Sequence, residues 1–446
     1  MKKLFWFLFI LCWGGLAKTS AIAAVRLPNV FTDHMVLQRD RDIKVWGWAA
    51  AGERVKVQLA GQAAETTADA QGGWKVKLPP MKAGGPHAMT VAGENTITIG
   101  DVLLGEIWVC SGQSNMEFEM MHVQNSKEEI SRADYPQLRM LLVPRTTSAV
   151  PLNDVKTSWA ICSPASEVLP KFSAVAYFFG REILTNLKVP VGLMAASQGA
   201  TQIEPWTAHE GVAEGGALYN GMIHPLVPFA IRGAIWYQGE SNCGDGMRYF
   251  DKMKALVSGW RRVWQQGDFP FYFVQITPNR YDGALPLLIE SQIASMTIPN
   301  TGMAQSTDTT NPSDNFGGGH PRNKQEIGRR LALWALAKDY GQINLVHSGP
   351  RFQSLKAEGS HLRISFDQVG GGLITRDNKA PDSFEIAGPD GVFVEATARI
   401  DGATVIVSSE KVAQPKAMRF AWTDLAQPNL MIKDGLPVSQ FRAQVP

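Results

Sequence analysis

The sequence predicts an α/β protein: a mostly parallel sheet with helices on both faces, flanked at each end by β-sandwich-like segments. Three observations carry this reading. From about Gly105 to Tyr340, apolar strand-like runs (Gly105–Val109, Val189–Ala195, Ala230–Trp236, Phe271–Ile276) alternate with helical stretches (Ala174–Leu187, Phe250–Trp264, Gln325–Lys338), and such alternation implies parallel strands joined by crossover helices. On either side the hydrophobic period falls to two, with Gly-Gly, Gly-Gln and Pro-Pro punctuation before it and an Asp-Gly pair after it. The length, 446 residues, suits about two to four domains and a sizeable core without disulfide staples.

Residues 1–24 read as a signal peptide. Lys2 and Lys3 precede an apolar run from Leu4 to Leu16, too short to span a bilayer, and the small-residue stretch Ala21-Ile22-Ala23-Ala24 follows. Cys12 lacks the small residues that a lipidation site needs before it. The expected location is periplasmic or secreted, with no membrane contact after cleavage. Cys110, Cys162 and Cys243 then remain, and an odd number in an oxidising compartment leaves at least one free thiol.

Residues 25–104 form an N-terminal β-rich segment: Val55, Val57 and Leu59 alternate with Lys56 and Gln58, and Trp74, Val76 and Leu78 with Lys75 and Lys77. Residues 105–340 form the α/β unit. Residues 341–446 return to alternation, with Leu362, Ile364 and Phe366 on one face. There, Val392-Phe393-Val394 and Val405-Ile406-Val407 are expected to join across Asp401-Gly402, a hairpin signal.

Composition narrows the function. Lys+Arg 43 against Asp+Glu 41 gives a formal net charge of +2, without runs of like charge, which disfavours a nucleic-acid or polyanion binder. Neither His-x-x-x-His nor Cys-x-x-Cys occurs, so no metal or other cofactor is implied.

The chemistry concentrates where strands end. Glu106-Ile107-Trp108-Val109-Cys110 runs into the small-residue turn Ser111-Gly112-Gln113-Ser114-Asn115-Met116, and ligands of open α/β sheets gather outside such carboxyl ends. Ser114 is the candidate nucleophile. No Gly-x-Ser-x-Gly string surrounds it, so the strained elbow of α/β-hydrolases is not indicated. His320, before Pro321 and a helical stretch, is the candidate base, since neutral imidazole accepts a proton near pH 7. Two further loops follow strands: Ser197-Gln198-Gly199-Ala200-Thr201, whose Gly199 N–H can approach an oxyanion, and Gln238-Gly239-Glu240-Ser241-Asn242, whose Asn242 amide is a second candidate donor.

Gly-Gln-Ser-Asn-Met-Glu-Phe, Trp-Tyr-Gln-Gly-Glu-Ser-Asn and His-Pro-Arg-Asn-Lys-Gln-Glu-Ile-Gly-Arg-Arg-Leu closely resemble the sialate O-acetylesterase family, within the wider SGNH hydrolases. The entrance Leu-Pro-Asn-Val-Phe-Thr-Asp-His-Met-Val-Leu-Gln-Arg and the run from Phe172 to Arg181 extend the resemblance over nearly the whole mature chain. It implies a flavodoxin-like hydrolase unit, with Ser114 as nucleophile, His320 as base, and Gly199 and Asn242 with the Ser114 amide as oxyanion hole. The implied substrates are acetyl esters on sugars, either sialic acids or, in related esterases, plant-wall xylan and xyloglucan.

Two positions depart from that pattern. The aspartate usual shortly before the histidine is missing, since 317–319 are all glycine. Glu240 is the expected substitute in orienting His320, because residues 240 and 242 of an extended loop point to the same side. Asp314, Asp308 and a bare Ser-His pair are the alternatives. The second departure is Ala200, where relatives often carry glycine. Arg322, Asn323 and Lys324 are expected to be solvated, and Trp206 and Trp236 to pack in the interior. The reading is a carbohydrate O-acetylesterase whose activity climbs through about pH 6–7 as His320 loses its proton. A carbohydrate-binding protein built on a decayed hydrolase is the rival from another class, and a lipid or peptide ester hydrolase a third possibility.

Overall fold

The computed structural model describes residues 24–208, 216–310 and 319–446. The expected signal peptide, apart from Ala24, and Asp314 lie outside these residues. The N-terminal segment contains β1 (Val36–Gln38), β2 (Ile43–Trp48), β3 (Arg54–Leu59), β4 (Gln62–Thr67), β5 (Gly73–Leu78) and β6 (Gly84–Ala92). Its alternation is borne out residue by residue: in β3 and β5 the buried positions are Val55, Val57 and Leu59, and Trp74, Val76 and Leu78. β7 (Thr96–Gly112) is 17 residues long. Its first part pairs with β6, and its last part lies between two parallel strands of the central sheet. The division expected between residues 104 and 105 falls inside this strand, and the buried side chains on either side of it form one continuous core.

The central unit continues with α1 (Ser114–Glu117), α2 (Ser126–Ser131), β8 (Tyr135–Leu142), β9 (Trp159–Cys162), α3 (Ala174–Leu187), β10 (Val191–Ser197), β11 (Gly233–Tyr237), α4 (Arg248–Trp264), β12 (Phe271–Val274), α5 (Leu285–Ser295), β13 (Thr301–Ala304) and α6 (Lys324–Lys338). The sheet runs β13-β12-β11-β7-β10-β8-β9. All its pairs are parallel except β8 with β9.

Register and ring contacts show how the helices cover it. Trp108 pairs in register with Gly233, and Ile235 with Tyr272, so Trp108 and Tyr272 share a face. Phe179 of α3 lies 5.0 Å from Trp108, and Trp334 of α6 lies 6.1 Å from Tyr272. Trp236 and Phe271 share the opposite face, where Trp260 of α4 lies 6.1 Å and 5.8 Å from them. α3 and α6 therefore cover one face, and α4 the other. α3 keeps the bounds read from the sequence, whereas β8, α5 and β13 were not legible. α5 is buried on most of its surface, so it lacks the polar stripe that marks a surface helix.

Beyond α6 come β14 (Arg351–Glu358), β15 (His361–Asp367), β16 (Leu373–Thr375), β17 (Phe384–Ala387), β18 (Phe393–Glu395), β19 (Thr397–Asp401), β20 (Thr404–Ser408), β21 (Ala417–Phe420), β22 (Leu430–Ile432) and β23 (Phe441–Gln444). They form sheets β14-β15-β20-β19, β18-β17-β21-β23 and β16-β22 around a separate core that includes Leu362, Ile364, Phe384 and Phe420. The expected hairpin at Asp401-Gly402 exists, but its first arm is Thr397–Asp401; Phe393-Val394 instead pairs with β17.

At the amino end of the central sheet, Glu106 is fully buried. Its carboxylate pairs with Arg39 from the N-terminal segment and accepts Arg232 Nε at 2.6 Å. Gln38 Nε2 at 3.2 Å and Tyr340 Oη at 3.1 Å complete its shell. Burial pushes the carboxyl upward, but the two guanidiniums outweigh it and hold the pKa below the ordinary 4.5. Such a depressed group stabilises the fold fully above pH 4.5 and loses that contribution as pH falls through its folded value. Glu106→Gln leaves two cations without their shared anion and is expected to cost about 3–5 kcal/mol in denaturant unfolding at pH 7, with the gap to wild type narrowing in acid.

Candidate active site

β7, β10 and β11 are adjacent, and their carboxyl ends release the three loops singled out in the sequence. Gly112 makes the turn possible. Its φ is +144°, and a Cβ there would lie 2.1 Å from Tyr237 O, so only glycine permits this approach of β7 to β11. Ser114 is the first residue of α1, and its N–H has no intrahelical acceptor. Ser114 Oγ and His320 Nε2 are 2.7 Å apart. Both residues are half-buried. Burial, and then the charge of Lys324, hold the His320 ring below its usual 6.5.

Behind this pair lies a buried polar chain. Asn115 Nδ2 donates to Gly319 O at 2.8 Å and to Glu240 Oε1 at 2.6 Å, while Asn115 Oδ1 accepts from Lys324 Nζ. Lys324 is fully buried, its ammonium 4.7 Å from the Phe118 ring centroid and 5.4 Å from that of Tyr237. Burial pushes Lys324 down to about 7, against the pull of Glu240. Glu240 moves the other way: burial raises its pKa, and its Oε2 has no hydrogen-bond partner among the described residues. The expectation that Lys324 is solvated is thus corrected. α6 begins at Lys324 and is capped by Asn323, which accepts Glu326 N at 3.2 Å, so Pro321 does not start the helix. The signal was present in the sequence, since Lys324 shares its helical stripe with Ile327, Gly328 and Leu331.

The remaining expectations divide. Gly199 is brought close to Ser114: a Cβ on it would lie 3.4 Å from Ser114 Cβ. Its N–H donates to Glu117 Oε2 at 2.8 Å, and Glu117 Oε1 pairs with Arg145. Ala200 stands at φ +57°, where an L-residue is strained by about 1–2 kcal/mol. Glu240 hydrogen-bonds Asn115 rather than His320, and among the described residues no carboxylate lies within ion-pair distance of the His320 ring. Asp308 is taken up by Arg330, at 2.6 and 2.7 Å.

Asn242 is also turned elsewhere. Its amide donates to Asp245 at 2.8 Å and Glu204 at 3.2 Å, and its oxygen accepts from Ile203 N and Gln238 Nε2. The reason is local: Glu240–Asp245 forms a 3-10 turn, so with about three residues per turn the side chains of 240 and 242 diverge. Trp206 and Trp236 are buried, as expected. Cys110, Cys162 and Cys243 are all free and buried. Among the described residues no cluster of His, Cys, Asp and Glu is placed to hold a metal, and no helix is long and apolar enough to cross a membrane.

Comparison with known proteins matches residues 104–337 to the model of a carbohydrate esterase family, the sialic acid-specific acetylesterases. The chain belongs to this family. It is an ester hydrolase of the carbohydrate acetylesterase class, acting on acetylated carbohydrate, as the resemblance of its motifs implied. Among its relatives, sialate O-acetylesterase of Homo sapiens is 33% identical over 393 residues, 75% of each chain. The sialate O-acetylesterase of Rattus norvegicus is 29% identical over 89% of each chain. A carbohydrate acetylesterase of Xanthomonas citri, of known crystal structure, is 37% identical, with a TM-score of 0.89 over 94% of this chain and 100% of that one. That agreement extends well beyond the family segment into both flanking β segments.

NMR titration of the His320 ring is expected to give a midpoint below 6.5. Because a cation beside an imidazole disfavours its protonation, Lys324→Met should move the midpoint upward.

Proposed function

We propose that the chain removes O-acetyl groups from sugar hydroxyls, with sialic acids as the preferred carriers, using Ser114 as nucleophile and His320 as base. The 2.7 Å contact between Ser114 Oγ and His320 Nε2 carries this reading, because it supplies a nucleophile already paired with its proton acceptor where substrates reach the sheet. Ser114 Oγ attacks the acetyl carbonyl and His320 Nε2 takes its proton. The tetrahedral oxyanion is held by the N–H groups of Ser114 and Gly199, Glu117 having released the latter. Collapse expels the sugar oxygen, which receives the proton from His320. Water then attacks the acetyl-Ser114 ester by the same route, releasing acetate.

Glu240 is a positioning residue in this reading. It holds Asn115, which holds the carbonyl preceding His320, so its effect reaches the base through Asn115. The retained Ser114–His320 pair supports an active esterase over the decayed binding protein. In the same reading the hydrolase unit, residues 105–340, is flanked by β-rich units at 25–104 and 341–446, and the Lys2-Lys3 start with its apolar run directs export to the periplasm or beyond.

Acetate release is to be measured from 9-O-acetyl sialic acid, acetylated xylan and acetylated xyloglucan oligosaccharides. Release from the sialic acid is expected to be fastest, and Ser114→Ala should lower kcat by about 10⁴-fold or more; preference for either plant polymer would overturn the sialate assignment. Since the neutral imidazole is the active form, kcat/KM should rise with pH around a midpoint below 6.5, earlier than an unperturbed histidine would give. Glu240→Gln and Asn115→Ala should each lower kcat by about 10–100-fold with little change in KM, the pattern of a misplaced base.

A further inference from the structure

The opposite end of the molecule carries a large groove. It encloses about 1460 Å³ and lies across the β2–β5 ribbon, with a wall from Pro228 and Gln265. Pro228 precedes β11, and Gln265 lies between α4 and β12, so this wall belongs to the amino ends of the parallel strands. Ser114 follows a carboxyl end. The groove and the esterase site are therefore on opposite edges of the sheet.

The ribbon's outer face is unusual in composition. Lys44, Trp46 and Trp48 alternate with buried Ile43, Val45 and Gly47 along β2, and their register partners on β5 are Lys77, Lys75 and Gly73. Paired residues face the same side. Two tryptophans, each half-buried, are thus laid beside three lysines. Trp46 is braced edge-on by Phe31 at 4.7 Å, and Arg26 covers Trp48 at 5.5 Å from its ring centroid.

Charge makes the face more specific. Lys44 directly opposes Lys77, an arrangement that costs stability. Arg41 adds a fourth cation to the lining. Arg41, Lys44 and Lys75 form no ion pair among the described residues, whereas Lys77 lies 3.7 Å from Asp42. The other lining carboxylate, Asp69, is occupied by the N–H groups of Gln71 and Gly73. One N–H donor on the lining, Gln266 Nε2, is buried without an acceptor among the described residues. Unpaired cations, an unsatisfied amide donor and aromatic faces together call for a ligand rich in acceptors, with apolar ring faces and negative charge.

We propose that this groove is a second saccharide-binding site, selective for acidic oligosaccharides whose carboxylates meet Arg41, Lys44 and Lys75 while their sugar rings lie against Trp46 and Trp48. It tethers the enzyme to acidic glycan and leaves the esterase site open at the far edge of the sheet. The volume exceeds the roughly 300–1000 Å³ of a small-ligand pocket and suits a chain of sugars.

The test uses the full chain carrying Ser114→Ala, titrated calorimetrically with hexagalacturonate and, in parallel, neutral xylohexaose. Hexagalacturonate is expected to bind at least 10-fold more tightly than xylohexaose, and less tightly as salt rises. Adding Lys44→Gln and Lys75→Gln should weaken hexagalacturonate at least 10-fold and leave xylohexaose unchanged. Lys75→Glu, at an exposed position, repeats the test by charge reversal should the double variant unfold. On the active background, the lysine variants should hydrolyse p-nitrophenyl acetate at the wild-type rate. Absence of hexagalacturonate binding, equal affinity for the neutral sugar, indifference to the lysine variants, or a parallel loss of esterase rate would each overturn the proposal.

Discussion

One strand governs the geometry of this protein. β7 leaves the N-terminal β segment, passes between β10 and β11, and ends at a glycine whose missing Cβ lets the backbone close onto Tyr237 O. That closure brings the loops after β7 and β11 together, so Asn115 can reach Glu240. A side chain at Gly112 would force the two strand ends apart, and the Asn115–Glu240 contact would separate with them.

The same strand has two buried carboxylates near it, and they are handled in opposite ways. Glu106 is neutralised by direct pairing with two guanidiniums, and it stays ionised despite complete burial. Glu240 and Lys324 are kept apart by Asn115, so each feels burial more than its partner, and both shift toward their neutral forms. The first arrangement binds segments together. The second weakens the separate charges near His320, and its hydrogen-bonded chain ends on the Gly319 carbonyl next to that residue, which suits the proposed base, a histidine that would alternate between neutral and charged forms.

Much of this was legible because local pattern and tertiary environment agree. The α3 bounds follow from periodicity, and the β3 and β5 faces from alternation. Ser114 and His320 follow from a strand running into a small-residue turn and a lone histidine ahead of a helix. Asn242 differs from the extended-loop expectation because a tight 3-10 turn sends 240 and 242 in different directions and its amide meets Asp245. Lys324 departs from the solvated placement expected of a lysine because it lies on the buried stripe of α6, where two aromatic rings take the place of water. Other contacts of the site join residues far apart in the chain, as with Gly199 and Glu117 (82 apart), His320 and Ser114 (206 apart) or Lys324 and Asn115 (209 apart), and no local window contains them.

The hydrogen bond from Gly199 N–H to Glu117 gives the resting site an internal occupant. In the proposed reaction an oxyanion must succeed that carboxylate, so the form ready for catalysis is a fraction of the population, and apparent affinity for the ester is reduced by that fraction. The arrangement has a compensating benefit. Glu117 is tied to Arg145 as well, so the donor is filled again as soon as acetate departs, and the side chain competes with the product for the place it leaves.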